Sequence, residues 1–241
     1  MKSTYSFALI VAASTMLIAT APPRATASEL PVALGTAGGY TVLAGQTATS
    51  TGQSILLGNL GVSPGSAVTG FPPGVVFGVI DLANTAAALA QRDLTTAYND
   101  AEGRSTAPVA VSGNLGGRTL TPGLYKSTSG LEISSGNLTL DAQGNPNAVF
   151  IFQMASTLTT TSGRKVILTG RAHAANIFWQ VGSSATLGTT TDFKGNILAF
   201  TSISLATGAT LDGRALAQNG SVTMQNNDIT LPVPSKPRRR N

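Results

Sequence analysis

The sequence predicts a mainly-β fold, a β-solenoid whose coils wind into a three-sided tube with one long helix laid along a side. Three observations carry this. Short β-type runs broken by Gly, Ser and Pro turns fill most of the chain, a C-terminal block repeats itself, and one central stretch changes to helical spacing.

From the N-terminus, Met1-Lys2, an apolar run over 7–19, Pro22-Pro23 and Ala25-Thr26-Ala27 follow the order of a secretory signal. Residues 1–27 are therefore expected to be a signal peptide, cut after Ala27, with Ala21 as the alternative. The run is too short to span a bilayer, and nothing later resembles a membrane helix. A domain over 28–231, secreted and without a membrane segment, is expected to follow.

Strand signals come next at 40–44 and 55–57, then in "NLGVSPGSAVTGF". Over 81–102, "DLANTAAALAQRDLTTAYNDAE" places Leu82, Ala86, Leu89, Ala97, Tyr98 and Ala101 at helical spacing, with Asp81 able to cap the start and Gly103 to end it. Such a helix is roughly 30 Å long and covers about six coils stacked at about 4.8 Å. Five C-terminal coils plus one or two from the N-terminal strands meet that length.

In the C-terminal region, "SISLATGATLDGRALA" follows "SATLGTTTDFKGNILA" at an offset of 18 residues, matching Phe193, Gly195, Leu198 and Ala199 with Leu211, Gly213, Leu216 and Ala217. A period of that size holds three short strands. Three apolar columns are assigned to the inner faces. One is Phe150, Phe178, Leu198 and Leu216; the second Ile133, Leu158, Leu187, Leu205 and Met224; the third Leu140, Ile167, Phe193, Leu211 and Ile229. The longer connection over 163–175 makes the coils unequal. Residues 232–241, "PVPSKPRRRN" from Pro232 on, read as a loose basic tail, with an anchoring remnant and cell-surface association as the alternative.

Charge and composition exclude several function classes. Six of the 15 basic residues lie in the signal and tail, leaving nine against ten acids in the body, so a nucleic-acid surface is not expected. With no Cys, the core alone must stabilise an exported protein. The acids are scattered, and an 18-residue offset stacks Asp192 near Thr210 rather than Asp212, which argues against a lyase or hydrolase site. His173 has no second His or Cys to share a metal with, so neither metal nor cofactor is expected. The cluster Gly35, Gly38 and Gly39 reads as a turn, and Trp179 as packing, pointing outward or under the helix.

The second side is the informative one. Its outward residues form two files, Thr157, Ser184, Ser202, Ser221 and Thr159, Thr186, Ser204, Thr223, which no charged residue interrupts. Stacking for stability explains hydroxyl ladders in general. A rigid two-dimensional array of hydroxyls and methyls is also a template for ordered water, and ice is the crystalline partner that needs no pocket. A surface-coat module or an adhesin reading carbohydrate is the alternative.

"LGTAGGYTVLAG", "NLGVSPG", "DLTTAYNDAEGR", "LTPGLYK", "LTLDAQGNPNAVFIFQ", "NIFWQVGSSATLG", "FKGNILA" and "GRALAQNGSVTM" together resemble the microbial family of secreted ice-binding proteins, over about residues 31–230. The resemblance implies a right-handed solenoid of triangular section, discontinuous because N-terminal strands complete coils begun by the C-terminal part. It also implies one flat face that adsorbs to ice, and the protein is expected to be non-enzymatic and a monomer. The Thr/Ser words fall on 183–186 and 201–204, with a looser one ending at Thr223; by position, Thr69 and Thr49 contribute from the N-terminal strands. Between Phe71 and Asp81 the sequence is too short for the capping insertion of many relatives, and Ser replaces Thr at 184, 202, 204 and 221.

Overall fold

The computed structural model describes residues 29–233. The expected signal peptide and residues 234–241 of the expected tail lie outside the described residues. The described chain is a β-solenoid in which every strand pairing is parallel.

Along the axis, the hydroxyl side stacks Gly113–Asn114, Leu131–Ile133, Leu158–Thr160, Ala185–Leu187, Ile203–Leu205, Val222–Gln225, Thr47–Thr51 and Ala67–Thr69. A second side runs through Gly123–Ser127, Phe150–Met154 and Ile177–Val181 to Tyr40–Ala44, Asn59–Val62 and Ile80–Leu82. Strands Asp192–Ala199 and Thr210–Ala217 serve two sides, since their first residues pair toward Asp228–Thr230 and their last lie on the second side. The switch falls at Gly195, whose φ is +108° and where a Cβ would stand 2.7 Å from Ile177 Cγ2.

The discontinuity lies in one turn shared between the two ends of the chain. Tyr40–Ala44, Thr47–Thr51 and Ile55–Leu57 lie in register on Thr210–Ala217, Val222–Gln225 and Asp228–Thr230. Asp228–Thr230 lies on the first residues of Thr210–Ala217, at the level of Tyr40–Ala44 and Thr47–Thr51, so the N-terminal strands complete the turn that the C-terminal strand begins, as expected, and Ile55–Leu57 starts the next one. After Leu82 the chain returns to the other end through the helix, whose 19 residues span about 28 Å. It touches strands from Ile80–Leu82 to Phe150–Met154.

The helix is Thr85–Gly103, shorter at its start than the expected 81–102. Asp81 does not cap it. That residue sits in strand Ile80–Leu82, where its carboxylate accepts from Tyr40 Oη at 2.7 Å and Asn84 Nδ2 at 2.7 Å. Asn84 is the cap, accepting from Ala87 N at 2.9 Å. The buried face is Ala87, Ala90, Leu94, Ala97, Tyr98 and Ala101, whereas Leu82 and Leu89 are exposed. Small residues let the helix lie close to the sheet. The Gly35–Gly39 turn is pinned at both ends. Thr36 donates its N and Oγ1 to Asp93 on the helix, holding that carboxyl below the usual carboxylate range, and Arg214 donates to Gly38 O. Burial pulls the Arg214 guanidinium down to about 10, so it remains charged at neutral pH.

The 18-residue register holds residue for residue from Asp192↔Thr210 to Ala199↔Ala217. The first apolar column, Phe150, Phe178, Leu198 and Leu216, has the wrong parity for three of its four members. Phe178, Leu198 and Leu216 face the helix, while Phe150, Phe152, Trp179, Ile197 and Ala215 fill the tube. Trp179 is therefore inside, 4.0 Å from Phe152 in a stacked pair, with its indole N–H donated to Lys194 O. Elsewhere Leu158 is inward but pairs with Leu131 and Ala185 rather than standing in the Ile133 column. Ile167 points out, 39 % exposed, and Val166 takes its place inside.

Candidate functional site

On the hydroxyl side, short strands alternate one apolar residue inward with one hydroxyl outward. Leu158, Ala185, Ile203, Val222 and Ala48 are buried in the tube, which fixes the direction of their neighbours. Pairing places Thr159, Thr186, Ser204, Thr223, Thr49 and Thr69 in one file with no shift of register. Backbone bonds from Leu158 to Ser184, Ala185 to Ser202 and Ile203 to Ser221 place Thr157, Ser184, Ser202 and Ser221 in the second file. None of the ten is buried, and the helix lies on another side.

Rungs repeat at about 4.8 Å along each file, and the two files stand about 6.6–6.8 Å apart, being i and i+2 on each strand. Hydroxyls bridge neighbouring rungs. Thr47 Oγ1 donates to Ser221 Oγ at 2.8 Å and Thr49 Oγ1 to Thr223 Oγ1 at 3.5 Å, while Ser184 and Ser202 Oγ accept from the backbone N–H of Ser202 and Ser221. Such bonds hold side chains in place and leave part of each hydroxyl's donor and acceptor capacity facing outward.

Two residues of this side escaped the sequence reading. Thr47 extends the second file across the seam, joined to a residue 174 positions away; the alternation of Thr47, Thr49 and Thr51 in "TATST" was the available signal. Glu132 pairs with Thr159 one rung below, exposed and in the same file.

A depression of about 420 Å³ on the third side is lined by Leu168, His173, Asp212 and Thr230 among others, with Asp212 its single carboxylate, raised above its ordinary range by burial. Asp192 pairs with Thr210, as the offset requires, and forms an ion pair with Lys194 at 2.8 Å. His173 precedes the short turn Ala174–Asn176. Among the described residues, no group of three or more His, Cys, Asp or Glu could hold a metal ion.

Comparison with known proteins adds identity to this geometry. An ice-binding protein of Nostoc sp. (strain HG1) is 50 % identical over 208 residues, covering 86 % of this chain and 77 % of that one. One from Flavobacterium frigoris (strain PS1) is 38 % identical, covering 83 % and 76 %. Among solved structures, an ice-binding protein from an Antarctic biological consortium superposes with a TM-score of 0.86 at 54 % identity, covering 89 % of this chain and 97 % of that one. That of the Antarctic ascomycete Antarctomyces psychrotrophicus reaches 0.79 at 38 % identity, covering 83 % and 98 %. With its residues 42–230 matching the family described as ice-binding-like, the chain belongs to that family.

Proposed function

We propose that the protein is a secreted, non-enzymatic ice-binding protein that adsorbs to ice through its hydroxyl side. The observation that carries the reading is the unshifted file Thr159, Thr186, Ser204, Thr223, Thr49 and Thr69, flanked by Thr157, Ser184, Ser202 and Ser221. A single hydrogen bond exchanged with water contributes about 0.5–1.5 kcal/mol at most, so an ice binder needs many matched sites acting together. A solenoid supplies them at little entropic cost, because packing and backbone pairing already hold the rungs. Bound molecules pin the growing front, which must bulge between them, and the curvature disfavours further growth and recrystallisation. The bound partner is the ice lattice, and a monomer is sufficient for this.

The test is substitution by tyrosine on the face. Thr186→Tyr, Ser204→Tyr and Thr223→Tyr should each lose most growth inhibition in a freezing droplet, with the unfolding midpoint unchanged, because the bulky ring lifts the face off the lattice. Full activity in folded variants places ice contact elsewhere. Binding to glycans without crystal shaping by the parent protein selects the adhesin reading instead.

A further inference from the structure

The two files do not run the length of the solenoid, and they end differently at the two ends. Toward the N-terminal strands, hydroxyls persist across the seam through Thr47 and Thr49 to Thr69 on the last strand of that side, Ala67–Thr69. In the other direction both files stop at one rung. Strand Leu131–Ile133 places Glu132 opposite Thr159, and the residue before it, Gly130, lies against Thr157, whose carbonyl accepts from Leu131 N at 2.9 Å. Both hydroxyls are thus replaced together, one by nothing and one by a carboxylate. The rung beyond places Asn114 opposite Glu132.

Glu132 is exposed and belongs to none of the ion pairs among the described residues. It takes one hydrogen bond from Ser134 Oγ at 3.0 Å. An ionised carboxylate so placed keeps its own hydration shell, and stripping that shell to seat it against a neutral lattice costs far more than a hydroxyl contact returns. It stands about one strand spacing, 4.8 Å, from the last hydroxyl rung, close enough that its ordered water competes with the lattice water there.

We propose that Glu132 sets the limit of ice contact, so that the working surface runs from Thr159 to Thr69 and is displaced toward the N-terminal strands. The inference rests on the ice-adsorption reading above and adds a boundary to it. The seam then lies inside the working surface, and Thr47 and Thr49 are central contact residues. Removing the charge at position 132 lengthens the surface by one rung.

Glu132→Thr, Glu132→Gln and Glu132→Lys, made in the full mature chain, separate charge from shape. Freezing-point depression below the melting point is read at equal molar concentration, beside the uptake of dye-labelled protein by a single ice crystal. Glu132→Thr should raise the depression about two-fold, since matched sites act together, with Glu132→Gln between it and the parent and Glu132→Lys no better than the parent. Equal unfolding midpoints establish that the exposed substitutions leave the fold unchanged. A folded Glu132→Thr no more active than a parent that does adsorb overturns the boundary alone, as does a gain from Glu132→Lys equal to that from threonine. A parent that takes no place on the crystal overturns the ice reading and the boundary with it.

Discussion

The helix-covered side and the hydroxyl side are built from the same kind of parallel strands on the same tube, and they differ in what points outward. On the first, Leu43, Ile151, Phe178, Leu198 and Leu216 point out and are buried to 2 % exposure or less beneath Ala90, Leu94, Ala97 and Tyr98. On the second, threonines and serines point out and stay bare. Outward chemistry, with the inward core held similar, decides whether a side acquires a protein layer or stays open to solvent. Apolar residues gain by leaving water under a helix, whereas small hydroxyls lose nothing by staying in it.

The sharpest way to break this contrast is to put the second side's chemistry on the first. Leu198→Ser or Leu216→Ser removes a fully buried side chain and leaves a hydroxyl under the helix, at a cost of about 3–5 kcal/mol. Denaturant unfolding should show the loss directly. The protein still folded should keep its adsorption to ice, because the hydroxyl side is untouched. The tyrosine substitutions at 186, 204 and 223 should show the opposite pattern, with adsorption lost and stability kept. Parallel loss of both properties in either set means that the sides are not independent.

The same contrast explains how much was legible in the sequence. Parity on the hydroxyl side could be read because apolar and hydroxyl residues alternate there, and all ten expected positions lie on one solvent-facing side. The sheet under the helix is buried on both faces, so its strands read as continuous apolar runs such as "FIFQM" and "IFWQV" with every residue buried. Alternation carries no phase in such a run, which is why Phe178 and Trp179 exchange roles. The repeat supplied phase only where its period is 18; from Leu131 to Leu158 to Ala185 the step is 27, and Glu132 fell outside the pattern. At the helix start, Asp81 and Asn84 are both good capping residues, and only the pairing of Asp81 with Gly61 decides between them.

A smaller effect tests whether the protein layer is held by its packed face or by its ends. Asn84→Ala removes the oxygen that accepts from Ala87 N and the amide that donates to Asp81, which Tyr40 Oη still satisfies. The expected cost is about 1 kcal/mol, a minor fraction of the leucine effect, read as a small drop in unfolding midpoint. A loss as large as that of Leu198→Ser makes the cap, rather than packing, the main attachment of the helix.

The smallest effect on stability is expected where neither chemistry is completed. At the end formed by the N-terminal strands, Val75, Phe77, Val79, Ile80 and Leu82 are each between 38 % and 63 % exposed, beside the unpaired edges of Ala67–Thr69, Val75–Val76 and Ile80–Leu82. From residue 30 to residue 80 the sequence has no charged side chain, so Ala67–Thr69 and Val75–Val76 carry none of the usual edge charges, and Asp81 on Ile80–Leu82 is buried against Tyr40. Ile80 and Leu82 continue the inward positions of Leu60 and Val62 and stand exposed where no further turn covers them. Phe77→Lys adds a charge at the most exposed of the five, buries nothing new, and should shift stability by less than about 0.5 kcal/mol. Its effect should appear in solution behaviour, with light scattering of concentrated protein rising later than for the parent. Adsorption to ice should not change, since the substitution lies off the hydroxyl side. Scattering that begins at the parent's concentration means that Phe71, packed against the core beneath this end, already closes it well enough.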